Sequence, residues 1–292
     1  MLTLAVVLSG LMLAGATAAV EKAGPRNDYP RMPRSCVDPK DLIPQEPGMC
    51  KLTPYREARP TMVLWGDSHA WQMIPALKGA IKGRNVNLVA FLMGGCPPMD
   101  PHLTTPKQRK NASSCDKSND LALRYVLRRK QKDLKTKVIA GGAWDRYLTP
   151  LREDTPPEES YAALIAQELA TDTPRLFRRL GLARISTDVT GQSLEVPDGA
   201  VCPEGRHPFV CSLPRSEALH EEAANMRWVK KAMKPLVGKG RYLTTNGAVC
   251  TAQVCYGKVD DIFTFFDDLH LSATRSRTLA GRFKASVADL FR

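Results

Sequence analysis

The sequence has no internal repeat, no paired C-x-x-C motif and no recognisable nucleic-acid-binding motif. The absence of a repeat argues against solenoids and propellers, and the absence of C-x-x-C pairs argues against the common zinc modules. The net charge of +12 comes without interleaved basic and aromatic residues, which argues against a nucleic-acid partner. We therefore expect a globular protein that is neither a repeat protein nor a nucleic-acid-binding one. Its 292 residues suffice for one large domain or two small ones.

Charged residues are missing from the first twenty positions, which are strongly apolar and end in the small residues Ala16-Thr17-Ala18-Ala19. These small residues resemble a signal-peptidase site, although the basic segment that usually precedes one is absent. The length also suits a membrane-spanning helix, because about 20 apolar residues cross the hydrocarbon core. A signal peptide, an uncleaved anchor and the last helix of a longer membrane protein remain open. A core helix is disfavoured by the linker-like segment that follows.

The eight cysteines cluster along the chain into four local pairs, Cys36–Cys50, Cys96–Cys115, Cys202–Cys211 and Cys250–Cys255. Eight cysteines allow 105 connectivities, so the sequence alone does not choose among them. A zinc site is the alternative, because His207 lies between Cys202 and Cys211. We favour disulfides, since the apolar first segment indicates export and an exported chain meets an oxidising compartment such as the bacterial periplasm.

The excess of basic residues is spread along the chain, with one denser run from Arg124 to Lys137. On a helix such a run is usually a solvated face, and that is the interpretation we adopt. Anionic lipid headgroups or an acidic glycan are the partners that would suit the run in an exported protein.

The segment TMVLWGDSHAW at 61–71 has the pattern of a strand, a tight turn and a helix. Ser68 would lie at the carboxyl end of the strand and in the first helical turn, where backbone N–H groups point outward. A serine in that position can attack a carbonyl carbon if a base accepts its proton. Serine is also the commonest residue that caps a helix, so the pattern alone leaves both interpretations open.

A second polar motif, FFDDLHLS at 265–272, lies near the end of the chain. Asp267 and His270 are three residues apart, so on a helical turn or tight loop their side chains can share one face. Such an aspartate fixes the imidazole tautomer, and the other ring nitrogen can accept a serine proton. The alternative is that Asp267 or Asp268 caps the following helix and that His270 is a surface residue.

Strand-like and helix-like segments alternate after residue 60, with short links between them. This alternation predicts an α/β protein whose parallel sheet is covered by helices on both faces. Active sites in that architecture lie at the carboxyl ends of the strands. Ser68, Gly95 and Trp144 each follow a predicted strand, so we expect all three at one edge of the sheet.

The GDSHA motif at 66–70, the late D-x-x-H-L-S motif and the interspersed cysteines resemble the SGNH hydrolase superfamily. The closer resemblance is to SGNH domains fused to, or working beside, the acyltransferase-3 (AT3) membrane domain of bacterial O-acyltransferases. It covers most of the chain after Cys36. The resemblance implies a flavodoxin-like three-layer α/β/α sandwich with a central, mostly parallel five-stranded sheet. It also implies a catalytic triad of Ser68, His270 and Asp267.

The resemblance implies two further site residues. A glycine after the second strand supplies an oxyanion-hole N–H in these enzymes, and Gly94 and Gly95 match that place, Gly95 better. Many relatives carry an asparagine in the third motif, where this chain has Trp144, whose indole N–H is also a donor. The departure puts the third oxyanion donor in doubt and points to the glycan-acylating branch. A core or rim aromatic is the alternative for Trp144.

The resemblance and the motifs together predict a serine-dependent O-acyltransferase that moves an acyl group, most simply acetyl, from Ser68 to a bacterial envelope glycan. A carbohydrate O-acetylesterase with the same triad and a non-catalytic glycan-binding domain are the alternatives. An AT3 membrane domain is the expected partner that supplies the acyl group, and neither metal nor cofactor is expected. We divide the chain into a signal peptide or anchor (1–20), an extended disulfide-linked lead-in (21–60) and a catalytic domain (61–292).

Overall fold

The computed structural model of the protein describes residues 25–197, 210–236 and 240–292. The strands in these ranges are β1 (Cys50–Lys51), β2 (Thr61–Gly66), β3 (Asn87–Leu92), β4 (Thr136–Gly141), β5 (Ser186–Thr190), β6 (Leu213–Pro214), β7 (Tyr242–Leu243), β8 (Val254–Cys255), β9 (Lys258–Val259) and β10 (Ile262–Phe263). The α-helices are α1 (Ser68–Trp71), α2 (Ile74–Ala80), α3 (Pro106–Asn111), α4 (Ser114–Gln131), α5 (Trp144–Arg152), α6 (Tyr161–Leu182), α7 (Arg215–Ala218), α8 (Glu222–Ala232), α9 (Ala273–Thr278) and α10 (Lys284–Ala288).

Six strands form one central sheet in the order β1-β3-β2-β4-β5-β7. Strands β2, β3, β4, β5 and β7 are parallel, and β1 pairs antiparallel with β3 at one edge. Parallel neighbours need crossover connections, and the helices between these strands provide them. The remaining strands form two small antiparallel pairs, β6 with β8 and β9 with β10.

Strand β2 shows why the sheet is covered on both faces. Met62 and Leu64 pack in one hydrophobic core, whereas Val63 and Trp65 pack in a second core on the opposite face. Successive side chains of a strand point to opposite faces, so a strand that is apolar at every position must be buried twice. The predicted α/β sandwich with a mostly parallel central sheet is therefore confirmed.

The sheet contains six strands rather than the five that were predicted. All five predicted strands are present as the parallel members of the sheet, and the additional one is β1 at its edge. β1 is only two residues long and lies within the lead-in, where proline and turn residues hide any strand pattern. Its antiparallel pairing with β3 attaches the lead-in to the sheet.

Three of the predicted disulfides are confirmed, Cys36–Cys50, Cys96–Cys115 and Cys250–Cys255. The fourth predicted pair includes Cys202, which lies outside the described residues, as does His207 of the alternative zinc site. Within the described ranges, no group of three or more His, Cys, Asp or Glu side chains is arranged to hold a metal ion.

The lead-in contacts the domain at a second place. The backbone carbonyl of Asp28 accepts a hydrogen bond of 2.6 Å from the N–H of Ala273, and the ring of Tyr29 lies 5.9 Å from that of Phe266. These contacts lie next to the late D-x-x-H-L-S motif. The predicted membrane or signal segment, residues 1–20, lies outside the described residues. Of the helices that the structure describes, none is long and apolar enough to span a membrane.

A buried group of charges joins the central strands to the end of the chain. The ammonium of Lys137 on β4 is fully buried and donates to Asp188 Oδ1 at 2.7 Å, to Ser186 Oγ at 2.9 Å and to Asp289 Oδ2 at 3.1 Å. Arg241 binds the same two carboxylates. Removing one partner from such a group leaves a buried charge without compensation, which is costly.

We expect Lys137→Met to lower the free energy of unfolding by about 3–5 kcal/mol, because the Asp188 and Asp289 carboxylates lose their shared buried cation. Urea denaturation of the oxidised protein would measure the change. Lys132→Met is the matched control, since Lys132 contacts Glu57 at 2.6 Å in an ion pair open to solvent and should contribute little. Equal and small effects of both substitutions would contradict the expectation.

Candidate active site

Ser68 follows the carboxyl end of β2 and begins α1, as the sequence predicts. Gly66 ends β2 opposite Gly141 of β4. A Cβ atom on Gly66 would lie 1.8 Å from the carbonyl oxygen of Gly141, so only glycine allows the two backbones to approach this closely. The chain then turns sharply into α1, which presents Ser68 at the edge of the sheet.

Asp67 fixes this turn, a role that the sequence analysis did not assign. Its buried carboxylate caps α1 by accepting from the N–H of His69 at 2.8 Å. It also accepts from the N–H of Ala143 at 2.9 Å and from the hydroxyl of Tyr147 at 3.0 Å. Burial raises the pKa of Asp67, and the hydrogen bonds from Ala143, His69 and Tyr147 oppose that shift. Asp67 thus ties the GDSH turn to the loop after β4.

The late motif forms the predicted pair of Asp267 and His270. His270 Nδ1 lies 2.8 Å from Asp267 Oδ2, while Asp267 Oδ1 accepts from the backbone N–H groups of Leu269 at 2.9 Å and His270 at 2.6 Å. The carboxylate therefore orients both the ring and the loop that carries it. With Nδ1 facing the carboxylate, the proton resides on Nδ1 and Nε2 is left as the basic nitrogen.

The two distant motifs meet in the structure. The ring centroid of His270 lies 5.3 Å from that of His69 and 5.7 Å from that of Trp71, both in α1 with Ser68. Phe266 stacks on His270 with ring centroids 5.8 Å apart and also contacts Trp71. Nε2 of His270 is buried without a hydrogen-bond partner, and the Ser68 hydroxyl has none among the described residues. Catalytic hydrogen bonds are often longer than normal until substrate binds.

The loop after β3 supplies a free backbone donor at the same edge of the sheet. The N–H of Gly94 donates to the carbonyl of Pro44 at 3.1 Å, whereas the N–H of Gly95 has no hydrogen bond to a described residue. Gly95 has φ +67°, a conformation that favours glycine. The N–H of Ser68 is likewise unbonded among the described residues.

Trp144 occupies the third predicted position but does not present its donor to the cleft. The side chain is fully buried, and its indole N–H donates to the carbonyl of Thr190 at 2.7 Å. The ring also lies near that of Trp228, with centroids 6.5 Å apart. These contacts favour the alternative interpretation of Trp144 as a core aromatic.

Buried ionisable side chains surround the candidate site. His69 Nε2 lies 3.2 Å from Glu195 Oε1. Burial lowers the pKa of His69 well below its usual value and raises that of Glu195 well above its own, so burial opposes a charge on either group. Burial also raises the pKa of Asp145 to about 6. No motif in the sequence indicated Glu195, because it follows β5 in a segment without a recognisable pattern.

Gln72 connects the parts of the site. Its side-chain oxygen accepts from the N–H of Leu271, directly after His270, at 2.7 Å, and its amide donates to Ser193 Oγ at 2.6 Å. Its backbone carbonyl accepts from Ser276 Oγ at 2.5 Å. Since Gln72 is fully buried one turn after Ser68, it fixes the late motif relative to α1.

Gln72→Met, which keeps the side-chain length and removes both hydrogen bonds, is expected to lower kcat/KM for a small acetyl ester by about 10–100-fold. The loss follows from displacement of His270 relative to Ser68. Ser193→Ala removes only the second bond and should cost much less. Steady-state kinetics beside thermal unfolding would separate this effect from global instability, and a Gln72→Met enzyme with parental kcat/KM would contradict it.

Comparison with known proteins agrees with the geometry. Residues 35–285 match the family model of the SGNH domain that is fused to AT3 domains. The structure is similar to the periplasmic domain of the lipopolysaccharide acetyltransferase of Salmonella ser. Paratyphi A, with a TM-score of 0.53 and 14% identity. The similarity covers 80% of this chain and 85% of that one. Curated protein sequences give no match.

The family match spans the GDSH turn, the Gly95 loop and the D-x-x-H-L-S motif. It confirms the predicted resemblance and the prediction that the chain is an SGNH-type enzyme, while the structural similarity confirms the fold. The roles predicted for Ser68, His270, Asp267, Gly95 and Trp144 stay predictions. On the family match, which covers well over half of its length, the chain belongs to the family of SGNH domains fused to AT3 domains.

Proposed function

We propose that the protein is a serine-dependent O-acyltransferase that transfers an acetyl or similar acyl group to a bacterial cell-surface polysaccharide. The observation that carries this proposal is the contact between the Asp267–His270 pair and α1, which begins with Ser68. An oriented imidazole beside a serine at the mouth of a parallel sheet is the arrangement that nucleophilic acyl transfer requires.

In the proposed first half-reaction, Ser68 Oγ attacks the acyl carbonyl carbon while His270 Nε2 accepts the hydroxyl proton. Asp267 stabilises the imidazolium that results. The tetrahedral intermediate collapses as the bond to the donor breaks, and His270 returns the proton to the leaving group. The product of this step is an acyl ester on Ser68.

In the second half-reaction, a sugar hydroxyl loses its proton to His270 Nε2 as its oxygen attacks the ester carbonyl. The acyl group moves to the sugar, and Ser68 recovers its proton from His270. Water in place of the sugar gives hydrolysis with the same residues. The outcome depends on whether the site excludes water and orients the acceptor.

The N–H groups of Ser68 and Gly95 are the donors we propose for the oxyanion in both steps. Neither makes a hydrogen bond to a described residue, while the neighbouring N–H groups of His69 and Gly94 are occupied. Donors that are fixed in the backbone need no reorganisation when negative charge develops on the substrate oxygen.

Three observations support the polysaccharide acceptor and the AT3 partner. The structural neighbour is the periplasmic domain of a lipopolysaccharide acetyltransferase, and the family consists of SGNH domains fused to AT3 domains. The three disulfides fit an oxidising, extracytoplasmic compartment. We further propose that residues 1–20 direct or anchor the chain outside the cytoplasm, that residues 21–60 are a lead-in, and that residues 61–292 form the catalytic domain.

The test uses the full oxidised chain with a chromogenic acetyl ester, with and without an envelope oligosaccharide. The proposal predicts ester cleavage in both cases, and acetylated oligosaccharide at the expense of free acetate when the sugar is present. Ser68→Ala should give neither product. Free acetate alone would identify a carbohydrate O-acetylesterase instead, and oligosaccharide binding without ester cleavage would identify a glycan-binding domain.

A further inference from the structure

Tyr161 lies at the rim of the candidate active site without belonging to the triad or to the oxyanion donors. It is the first residue of α6, and its ring packs against the loop after β3. A Cβ atom on Gly95 would lie 3.1 Å from Cε1 of Tyr161 and 3.8 Å from its Cδ1. Tyr161 therefore lies beside Gly95, the residue whose backbone N–H we propose for the oxyanion.

Most of the Tyr161 side chain is nevertheless open to solvent. Its exposure is 53%, and Leu164 on the same side of α6 is 45% exposed. The hydroxyl of Tyr161 makes no hydrogen bond to a described residue. Tyr147 provides the contrast, because it is buried nearby and its hydroxyl is committed to Asp67. Tyr161 thus presents an uncovered aromatic surface and a free hydroxyl next to the site.

The start of α6, which carries this ring, is held by a helix cap and by buried neighbours. Ser160 caps α6 by accepting from the N–H of Ala163 at 3.0 Å, and Ala163 and Ile165 in the same turn are buried. A tyrosine has only two side-chain torsions, so little conformational entropy is lost when it contacts a ligand. The position of the ring is therefore set by an ordered helix start, and contact with a ligand costs it little conformational entropy.

We propose that Tyr161 is a carbohydrate-binding platform that holds the acceptor sugar beside acylated Ser68. This inference rests on the proposed transferase function. One side of a pyranose ring carries C–H groups with slight positive charge, and the face of an aromatic ring is negative. The free phenolic hydroxyl can donate to or accept from the hydroxyl groups at the sugar edge.

Such a platform favours transfer of the acyl group to the sugar over its hydrolysis by water. Water needs no aromatic surface, and a small acetyl ester reaches Ser68 without covering Tyr161. A sugar that stacks on the ring places its hydroxyl near the ester and displaces water from the adjoining space. Tyr161 is therefore expected to control acceptor affinity and the ratio of transfer to hydrolysis, while it leaves the formation of the acyl-enzyme unchanged.

The experiment compares Tyr161→Ala, Tyr161→Phe and Phe291→Ala in the full chain. Phe291 is the matched control, since its exposure is 51%. It follows Asp289, which contacts Lys137 near the amino end of β4, whereas the candidate site lies at the carboxyl ends of the strands. For Tyr161→Ala we expect about a three- to tenfold rise in KM for the envelope oligosaccharide. Hydrolysis of the small ester without sugar should change less than about twofold, and Tyr161→Phe should retain most of the acceptor affinity because it keeps the ring.

A second measurement makes the result independent of turnover. Calorimetric titration of the oligosaccharide into Ser68→Ala and into Ser68→Ala with Tyr161→Ala should show weaker binding in the double variant. An unchanged KM and unchanged binding would overturn the platform. An equal loss of ester hydrolysis and transfer would also overturn it, because Tyr161 would then only support the Gly95 loop. If the parent cleaves the ester but neither binds nor acetylates the sugar, the transferase function itself fails.

Discussion

Ser68→Ala and His270→Ala are each expected to lower kcat/KM for a small acetyl ester by about a thousandfold or more. The serine oxygen is the atom that would carry the acyl group, and the imidazole is the group that would remove its proton. His270 is oriented for this by Asp267, which bonds both its ring and its backbone N–H. Residues that act as a unit do not contribute additively, so the double variant should be no slower than either single variant.

The matched control for this prediction is His102→Ala. His102 is partly exposed and contacts Asp172 on the side of α6, so its loss should leave kcat/KM close to that of the parent. Asp267→Asn keeps the shape of the side chain but favours the wrong tautomer, and should cost about 10²–10⁴-fold. A Ser68→Ala protein that cleaves the ester at an appreciable rate would require another nucleophile.

Gly66→Ala is expected to have the largest effect on folding, with a loss of about 4 kcal/mol or more in the free energy of unfolding. The new Cβ would lie 1.8 Å from the carbonyl oxygen of Gly141 and 3.1 Å from the Cβ of Ala70. The first of these neighbours is the backbone of β4, which is paired with β2 on one side and β5 on the other and cannot move aside. The φ of +147° adds strain for any other residue.

Gly48→Ala is the control for this substitution, because a Cβ at Gly48 meets no atom within 4 Å. Urea denaturation of both variants under oxidising conditions measures the difference. If Gly66→Ala remains folded, we expect a loss of ester cleavage, since any separation of β2 from β4 displaces Ser68. A Gly66→Ala protein with parental stability and activity would show that the strands are not held this closely.

The sequence predicts β2 and β3 well because both are short, mostly apolar and followed by a turn. Burial on both faces demands an uninterrupted apolar segment, and β2 and β3 show it clearly. Strand β1 escapes prediction because two residues carry no periodic pattern. The segment TPPE at 155–158 has the pattern of a capping box, yet the helix begins at Tyr161 and continues through Pro174 to Leu182, because tertiary packing overrides the local helix signals.

The basic run from Arg124 to Lys137 shows a second limit of prediction from local sequence. The predicted solvated face is confirmed for most of the run, since its other basic residues are exposed. Arg129, however, is buried and donates to the carbonyls of Glu57 and Arg59, and Lys137 is fully buried among carboxylates. Residues distant in sequence supply these partners. A charge can be buried when a structure compensates it, and the compensation is invisible in a local segment.

The residues of the candidate site also fall into two groups, those that the sequence indicates and those that only the fold reveals. The sequence indicates Ser68, Asp267 and His270, because each lies in a short motif whose residue types are typical of acyl-transfer chemistry. Asp67, Gln72 and Glu195 contribute through contacts across 76, 199 and 126 positions, with Ala143, Leu271 and His69 respectively. Only the fold shows which of many polar residues meet at one edge of the sheet.

The most direct test of the central claim is peptide mass spectrometry of the oxidised protein, quenched during turnover of an acetyl ester. We predict an acetyl group on the peptide that contains Ser68, its disappearance in Ser68→Ala, and slower formation in His270→Ala. Acetylation of a different residue during normal turnover, or turnover in Ser68→Ala with no change in rate, would contradict the account.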